Sequence, residues 1–422
     1  MSSFTTADPL LDRVRRSGLV LPAELDAFLA TRPAGGDLLA GLVAERHLTP
    51  FQAAQLAAGK YKGFRLGQYV ILAPLGAGGA GQVFLAEHSA MRRLVALKVL
   101  LVPRAADSVN LERFLREARA AATLNHPNIV RVFDLNQDGR VHYLVMEYVE
   151  GVNLDELVRA AGPVPPAAAA DYARQVAAGL QHAHQRSLVH RDVKPANVLV
   201  DRAGGVQLLD LGLVRYDSEH DSQLTFRSGD KSILGTADFL APEQAVDSSA
   251  VDTRADVYGL GATLYYMLAG RTLFPDGRTS QKLMWQQWRT PDPIQLVRPE
   301  VPDGLAAVVA KALAKWPDDR FQTPGEFEGG RWPRSSPARA RRRPSVPPVP
   351  PRRWPVAKAS GLTPSAPRAE FRTPPPSRFD LPAGVAVPAA SSPVVPPTRP
   401  RAVLWVVAGA LLLAAAAVLF WR

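Results

Sequence analysis

The chain has 422 residues, 47% of them hydrophobic, and no cysteine, so it can bury a large core but holds no disulfide, thiolate metal site or cysteine nucleophile. Its formal net charge of +11 belongs to a tail: residues 331–401 carry fourteen Lys and Arg against Glu370 and Asp380, while residues 1–330 are close to neutral and slightly acidic. That distribution argues against a basic globular face and hence against nucleic acid as a partner.

The first ten residues are polar and acidic, with no basic run leading into an apolar one, so they do not read as a secretory signal. Residues 1–68 read as a small helical extension. Leu10, Leu11 and Val14, and later Leu38, Leu39, Leu42 and Val43, recur at helical spacing. One helix start is strongly signalled. Thr49 is placed as N-cap, Pro50 at N1 and Gln52 at N3, so that the two side chains can satisfy free N–H groups reciprocally. Gly59 is the expected stop. Two readings stay open: an extension packed on the next domain, or a separate partner-binding module.

Residues 69–328 form the globular body. Its first third predicts strands near 69–72, 82–86, 95–101 and 143–148, and the rest predicts helices, the longest near 172–185 and 257–269. Strands first and helices later argue an α+β body in two lobes. Residues 329–401 hold about half of the chain's 38 prolines among Ser, Ala and Arg. So little apolar surface cannot offset the entropy of ordering, and a disordered Pro/Arg-rich linker is expected. Residues 402–421, AVLWVVAGALLLAAAAVLFW, are uncharged throughout. At 1.5 Å per residue they span roughly 30 Å, the thickness of a bilayer's hydrocarbon core. Trp405 and Trp421 fall near the two interfaces. A single transmembrane helix is expected. Arg399 and Arg401 on its near flank place the body on the cytoplasmic side, and the linker arginines are suited to anionic lipids.

The body carries the chemistry. LGAGGAGQVF, residues 75–84, spaces Gly76, Gly78, Gly81 and Val83 as G-x-G-x-x-G-x-V. Glycines let backbone N–H groups approach phosphate oxygens without Cβ interference. A dinucleotide turn would need a helix next, whereas the strand-like QVFLAE follows, so the glycines close a hairpin. VALKVL puts Lys98 inside an apolar strand. That is costly unless the ammonium snorkels to solvent or meets a partner, such as Glu117 in FLREARAAATL or a phosphate. In HRDVKPANVLV, Asp192 is placed to take a hydroxyl proton, Lys194 to neutralise a transferring phosphoryl group, and Asn197 to offer an amide oxygen to a metal ion. Asp210 follows an apolar run in LLDLGLV, where a carboxylate suits Mg²⁺.

Taken in order, glycine loop, strand lysine, helix glutamate, HRD with downstream Asn, metal Asp and Ala241-Pro242-Glu243 resemble the catalytic domain of bacterial Hanks-type serine/threonine protein kinases. The resemblance covers residues 69–328 and implies a β-rich N-lobe, a helical C-lobe, and ATP and Mg²⁺ as cofactors. It implies transfer of the γ-phosphoryl group to serine or threonine of protein substrates, with autophosphorylation. Lys98 would hold the α/β-phosphates and pair with Glu117. Asp192 would be the catalytic base, and Asn197 and Asp210 would hold the metal. Leu75, Gly76, Gly78, Gly81 and Val83 would line the nucleotide from the glycine loop. Ala96 and Leu199 would sandwich the adenine, with Met146 behind it and the backbone of Glu147 and Val149 at its edge. Asp256 would brace the catalytic loop, Arg320 would pair with Glu243, and Thr236 would approach Asp192 and Lys194. Arg191 would read a phosphate on the activation segment, with Thr225, Ser228 and Ser232 as acceptors. There are two departures. Leu211 stands where the metal motif usually has Phe, and the family's last helix is shortened or lost after Arg320. A catalytically dead scaffold would normally lack Lys98, Asp192 or Asp210, and all three are present.

Overall fold

In a computed structural model of the full chain, the described residues are 8–32, 36–78, 81–100, 115, 118–139, 141–209, 237–246, 251–330 and 332. Glu117, Asp210, Thr225, Ser228, Ser232, Thr236, the linker beyond 332 and residues 402–421 lie outside them.

Four helices come first: α1 (Pro9–Ser17), α2 (Pro22–Thr31), α3 (Leu38–Ala44) and α4 (Pro50–Ala57). Helices this short are marginal alone, so their stability must come from mutual packing. They bury a core of their own, built around Val14, Leu25, Phe28, Leu42 and Leu56 and closed by Phe64. The expected Thr49–Pro50–Gln52 start of α4 is present as a complete capping box, and the helix stops just before Gly59.

An antiparallel sheet follows, from β1 (Arg65–Leu66), β2 (Tyr69–Gly78), β3 (Gly81–His88), β4 (Leu94–Leu100), β5 (Val132–Asp138) and β6 (Val141–Glu147), in the order β1-β2-β3-β4-β6-β5. Side chains alternate between its faces. On β4, Val95 and Leu97 join Tyr69, Ile71, Ala86, Tyr143 and Val145 on one face, against which Phe51 of α4 packs. Ala96 joins Leu144 and Met146 on the other, together with Ala118 and Ala121 from the helical segment 118–122.

The second lobe begins with β7 (Gly151–Asn153), α5 (Leu154–Ala161) and α6 (Pro166–His184). β8 (Val198–Asp201) and β9 (Val206–Leu208) pair with β7 in a small sheet. Then come α7 (Arg254–Ala269), α8 (Thr279–Trp288), α9 (Ile294–Val297), α10 (Asp303–Ala312) and α11 (Pro324–Glu328). α7 is buried on every side from Ala255 to Leu268 and is the axis of the lobe's core. The last helix is shortened to five residues, as one of the two expectations had it, but it is firmly seated. Phe327 is fully buried between Phe321 and Trp332, and Gln181 of α6 accepts a hydrogen bond from Gly325 N at 2.8 Å. Among the described residues no helix is long and apolar enough to cross a membrane.

Candidate active site

The glycine hairpin is the turn between β2 and β3. Gly76 pairs with Val83, Ala77 with Gln82 and Gly78 with Gly81. Gly81 has φ +135°, a conformation a side chain would resist. Next to it on the sheet, Lys98 lies in register with Val83 of β3 and Leu144 of β6, and is only 4% exposed. Its expected partner Glu117 lies outside the described residues.

The apolar residues assigned to the nucleotide come together. Ala96, Met146, Leu75, Val83, Val149 and Leu199 share one cluster, five of them from the first sheet and its exit and Leu199 from β8. Two segments of chain far apart in sequence thus form the two walls. Glu147 closes the strand behind Met146, its N–H donating to Arg131 O at 2.9 Å.

Below this cluster lies the loop between α6 and β8. Asp192 Oδ2 accepts from Lys194 Nζ at 2.8 Å and from Asn197 Nδ2 at 2.9 Å. Asn197 Nδ2 also donates to Asp192 O, so the amide nitrogen is committed and the amide oxygen is left for another partner. Leu209 N donates to Asn197 O at 2.9 Å, which fixes the residue just before Asp210. Asp210 itself lies outside the described residues.

The loop is held from underneath by the buried carboxylate of Asp256 on α7. Its Oδ2 accepts from His190 N at 2.8 Å and its Oδ1 from Arg191 N at 2.7 Å. Arg191 has φ +63°, unusual for a side-chain-bearing residue, and the Asp256 bond pins it there. His190 is fully buried. Its Nε2 donates to Leu209 O at 2.8 Å and its Nδ1 accepts from Asp192 N at 3.3 Å, which sets the neutral Nε2–H tautomer. Close approach of α7 to the loop needs Gly259, where a Cβ would stand 2.8 Å from Val193 O.

The expected brace from Asp256 and the expected Arg320–Glu243 pair are both present. Arg320 is buried and spends every guanidinium donor. Two go to Glu243, at 2.7 and 2.8 Å, and the others go to the carbonyls of Ala314, Arg254 and Lys315. Two supports went unseen in the sequence. His184 Nε2 lies 2.7 Å from Asp256 Oδ2, and Gln244 Nε2 donates to Arg191 O at 2.9 Å. Gln244 directly follows Ala241-Pro242-Glu243, which was the available signal. His184 carries none, because a histidine near a helix end is most often a surface residue.

The protein kinase domain family matches residues 69–325. The chain belongs to that family. Serine/threonine-protein kinase PrkC of Bacillus subtilis is 37% identical over 263 residues, covering 62% of this chain and 40% of that protein. Serine/threonine-protein kinase PknB of Mycolicibacterium smegmatis is 40% identical over 259 residues, 60% of this chain and 40% of that one. The chain therefore matches about two-fifths of the length of these curated relatives, and the matched residues are a protein kinase domain of the bacterial Hanks type. The crystal structure of the Mycobacterium tuberculosis PknI kinase domain superposes with a TM-score of 0.50 at 30% identity, over 63% of this chain and 96% of that one. The kinase lobes are thus the matched part; the four N-terminal helices precede it.

Proposed function

We propose that this kinase transfers the γ-phosphoryl group of ATP to serine or threonine hydroxyls of proteins, its own included, and works tethered to a membrane. The observation that carries the catalytic reading is the Lys194–Asp192–Asn197 constellation; the apolar cluster that Leu75 and Val83, beside the glycine hairpin, share with Ala96, Met146 and Leu199 supports a nucleotide slot. Asp192 orients the incoming hydroxyl and takes its proton as the oxygen–phosphorus bond forms and the bond to ADP breaks. Lys194, now 2.8 Å from that carboxylate, is within reach of the transferring oxygens and offsets their charge. Lys98 meets the α/β-phosphates, with Glu117 as its helix partner. Leu75, Val83, Ala96, Met146, Val149 and Leu199 exclude water around the adenine, and the backbone of Glu147 and Val149 reads its edge.

The donor set fits a hard divalent cation: the amide oxygen left over at Asn197 and the carboxylate of Asp210 would hold Mg²⁺. Bound there, the ion neutralises phosphate charge. Lys194, two residues beyond the base, supports serine/threonine rather than tyrosine acceptors.

Tethering rests on residues 402–421, uncharged and long enough to span a bilayer, behind the arginine-rich linker. We place residues 1–68, 69–328, 329–401 and 402–421 as extension, kinase domain, linker and anchor, with the kinase on the cytoplasmic side. The catalytic test is to mix purified full-length protein with labelled ATP, Mg²⁺ and a generic basic protein. Label on phosphoserine and phosphothreonine is expected; label on phosphotyrosine alone, or on nothing, defeats the reading.

A further inference from the structure

The N-terminal residues of α4 do more than start a helix. The Thr49 hydroxyl accepts from Gln52 N at 3.2 Å and donates to Leu72 O at 2.6 Å. Gln52 Oε1 accepts from Thr49 N at 2.9 Å, and its Nε2 donates to Ile71 O at 2.7 Å. Capping uses only the oxygens of these side chains. Here the donors, which a cap leaves idle, are committed to two successive carbonyls of β2. Thr49 is 4% exposed and Gln52 is 3% exposed, so neither donor exchanges freely with water.

Those two carbonyls sit where β2 leaves regular register. Ile71 faces Ala86 and Ala73 faces Leu85, which leaves Leu72 without a counterpart on β3. Such a bulge bends its strand, and the angle of the bend depends on what holds the extra residue. Between the two capping residues, Phe51 packs against Phe84 of β3 with ring centroids 6.4 Å apart, and Phe84 is the register partner of Pro74. One helix end therefore grips both strands of the glycine hairpin. Gly76 lies four residues beyond Leu72 on the same strand, about 13 Å at 3.3 Å per residue.

We infer that Thr49 and Gln52, with Phe51, are positioning residues for ATP: the end of α4 sets the bend of β2 and thereby where the hairpin glycines lie over the phosphates. The inference rests on the kinase reading above. It gives the four-helix unit a task in the reaction without any contact to substrate. It also separates two affinities. The hairpin touches the nucleotide alone, whereas Asp192, Lys194 and their supports belong to the other lobe, so losing the grip weakens ATP and leaves the protein substrate unaffected.

The test uses the full chain as wild type, Thr49→Val and Thr49→Ser. Valine keeps the volume and removes the hydroxyl, and with it both the bond to Leu72 O and the cap bond from Gln52 N; serine restores both. ATP affinity in the presence of Mg²⁺ is read by titration calorimetry, which needs no turnover, and KM is measured separately for ATP and for a peptide. Thr49→Val is expected to raise the ATP Kd and the KM for ATP about three- to tenfold, the scale of the lost bond to Leu72 O, with the peptide KM unchanged and Thr49→Ser close to wild type. An ATP affinity within about twofold of wild type, an equal loss for ATP and peptide, or no rescue by serine would each overturn the inference. If Thr49→Val does not fold, Phe51→Leu carries the same comparison, with a smaller shift in the same direction. A wild-type chain that binds ATP without transferring phosphate defeats the kinase reading, and the calorimetric comparison still decides this one. A wild-type chain that binds no ATP overturns both.

Discussion

The catalytic loop is stabilised by single atoms with few substitutes. Asp256 offers two carboxylate oxygens to His190 N, Arg191 N and His184 Nε2. Asp256→Asn replaces one acceptor with a donor and faces it against the N–H of His190 or of Arg191, so one of the two buried bonds that hold the loop is lost. We expect kcat to fall at least about tenfold with a smaller change in KM for ATP, because the base is displaced while the nucleotide slot is not; steady-state kinetics separates the two. Arg320 is a stability residue. Arg320→Met leaves Glu243, itself partly exposed, without its bidentate partner, at a cost of about 3 kcal/mol and a melting temperature roughly 6–12 °C lower by calorimetry. Legibility at this scale follows distance along the chain. Asp192, Lys194 and Asn197 fall within one short stretch, so their juxtaposition could be read directly. Gln244 and His184 act through contacts 53 and 72 positions away, to Arg191 and to Asp256, which no local pattern encodes.

At the scale of elements, apolar periodicity located β2, β3, β4 and β6 and the two long helices α6 and α7 to within a few residues at most boundaries. It missed β5, whose sequence VFDLNQD is mostly polar and whose place at the sheet edge leaves one side free of a neighbouring strand. It began α6 too late, because the alanines after Pro166 are weak in any hydrophobic pattern. In the fold three of them, Ala168, Ala169 and Ala170, are buried, where small side chains let elements approach closely. The contact between α6 and the segment entering β5 carries a pH signature. The rings of His126 and His182 lie 4.8 Å apart, and Arg186 is beside them. Burial, reinforced by His182 and Arg186 charge, holds His126 below the ordinary imidazole value of 6.5, and burial with Arg186 does the same for His182. Because the folded values are depressed, the unfolded chain takes up these protons first as the pH falls. Their contribution to stability is therefore present above about pH 6.5 and is lost as the pH drops through the folded values. Thermal unfolding followed by circular dichroism should show the melting temperature falling from about pH 7 to about pH 5, and falling less in His182→Gln. Equal falls in the two proteins would remove these histidines from the account.

At the scale of the whole molecule, composition marked the broad organisation: a neutral body, a basic proline-rich stretch and an apolar end. It could not say how the first helices relate to the body, because the link is made by individual side chains of α4, two donors meeting two carbonyls of β2 and Phe51 packing on Phe84. The proposed anchor at residues 402–421 is tested by fractionation. Full-length protein should stay with membranes in high salt and a version ending at Pro400 should not, since salt screens the arginines but not a buried helix. The central claim is that one constellation in the second lobe performs phosphoryl transfer. Its most direct test is the initial rate of labelled-phosphate transfer by full-length protein and by Asp192→Asn at equal concentration, with calorimetric ATP binding measured in parallel. The account predicts a rate at least about a hundredfold lower in the variant, the scale of a lost general base, with ATP binding retained. A variant that keeps both near wild-type rate and wild-type ATP binding would contradict it.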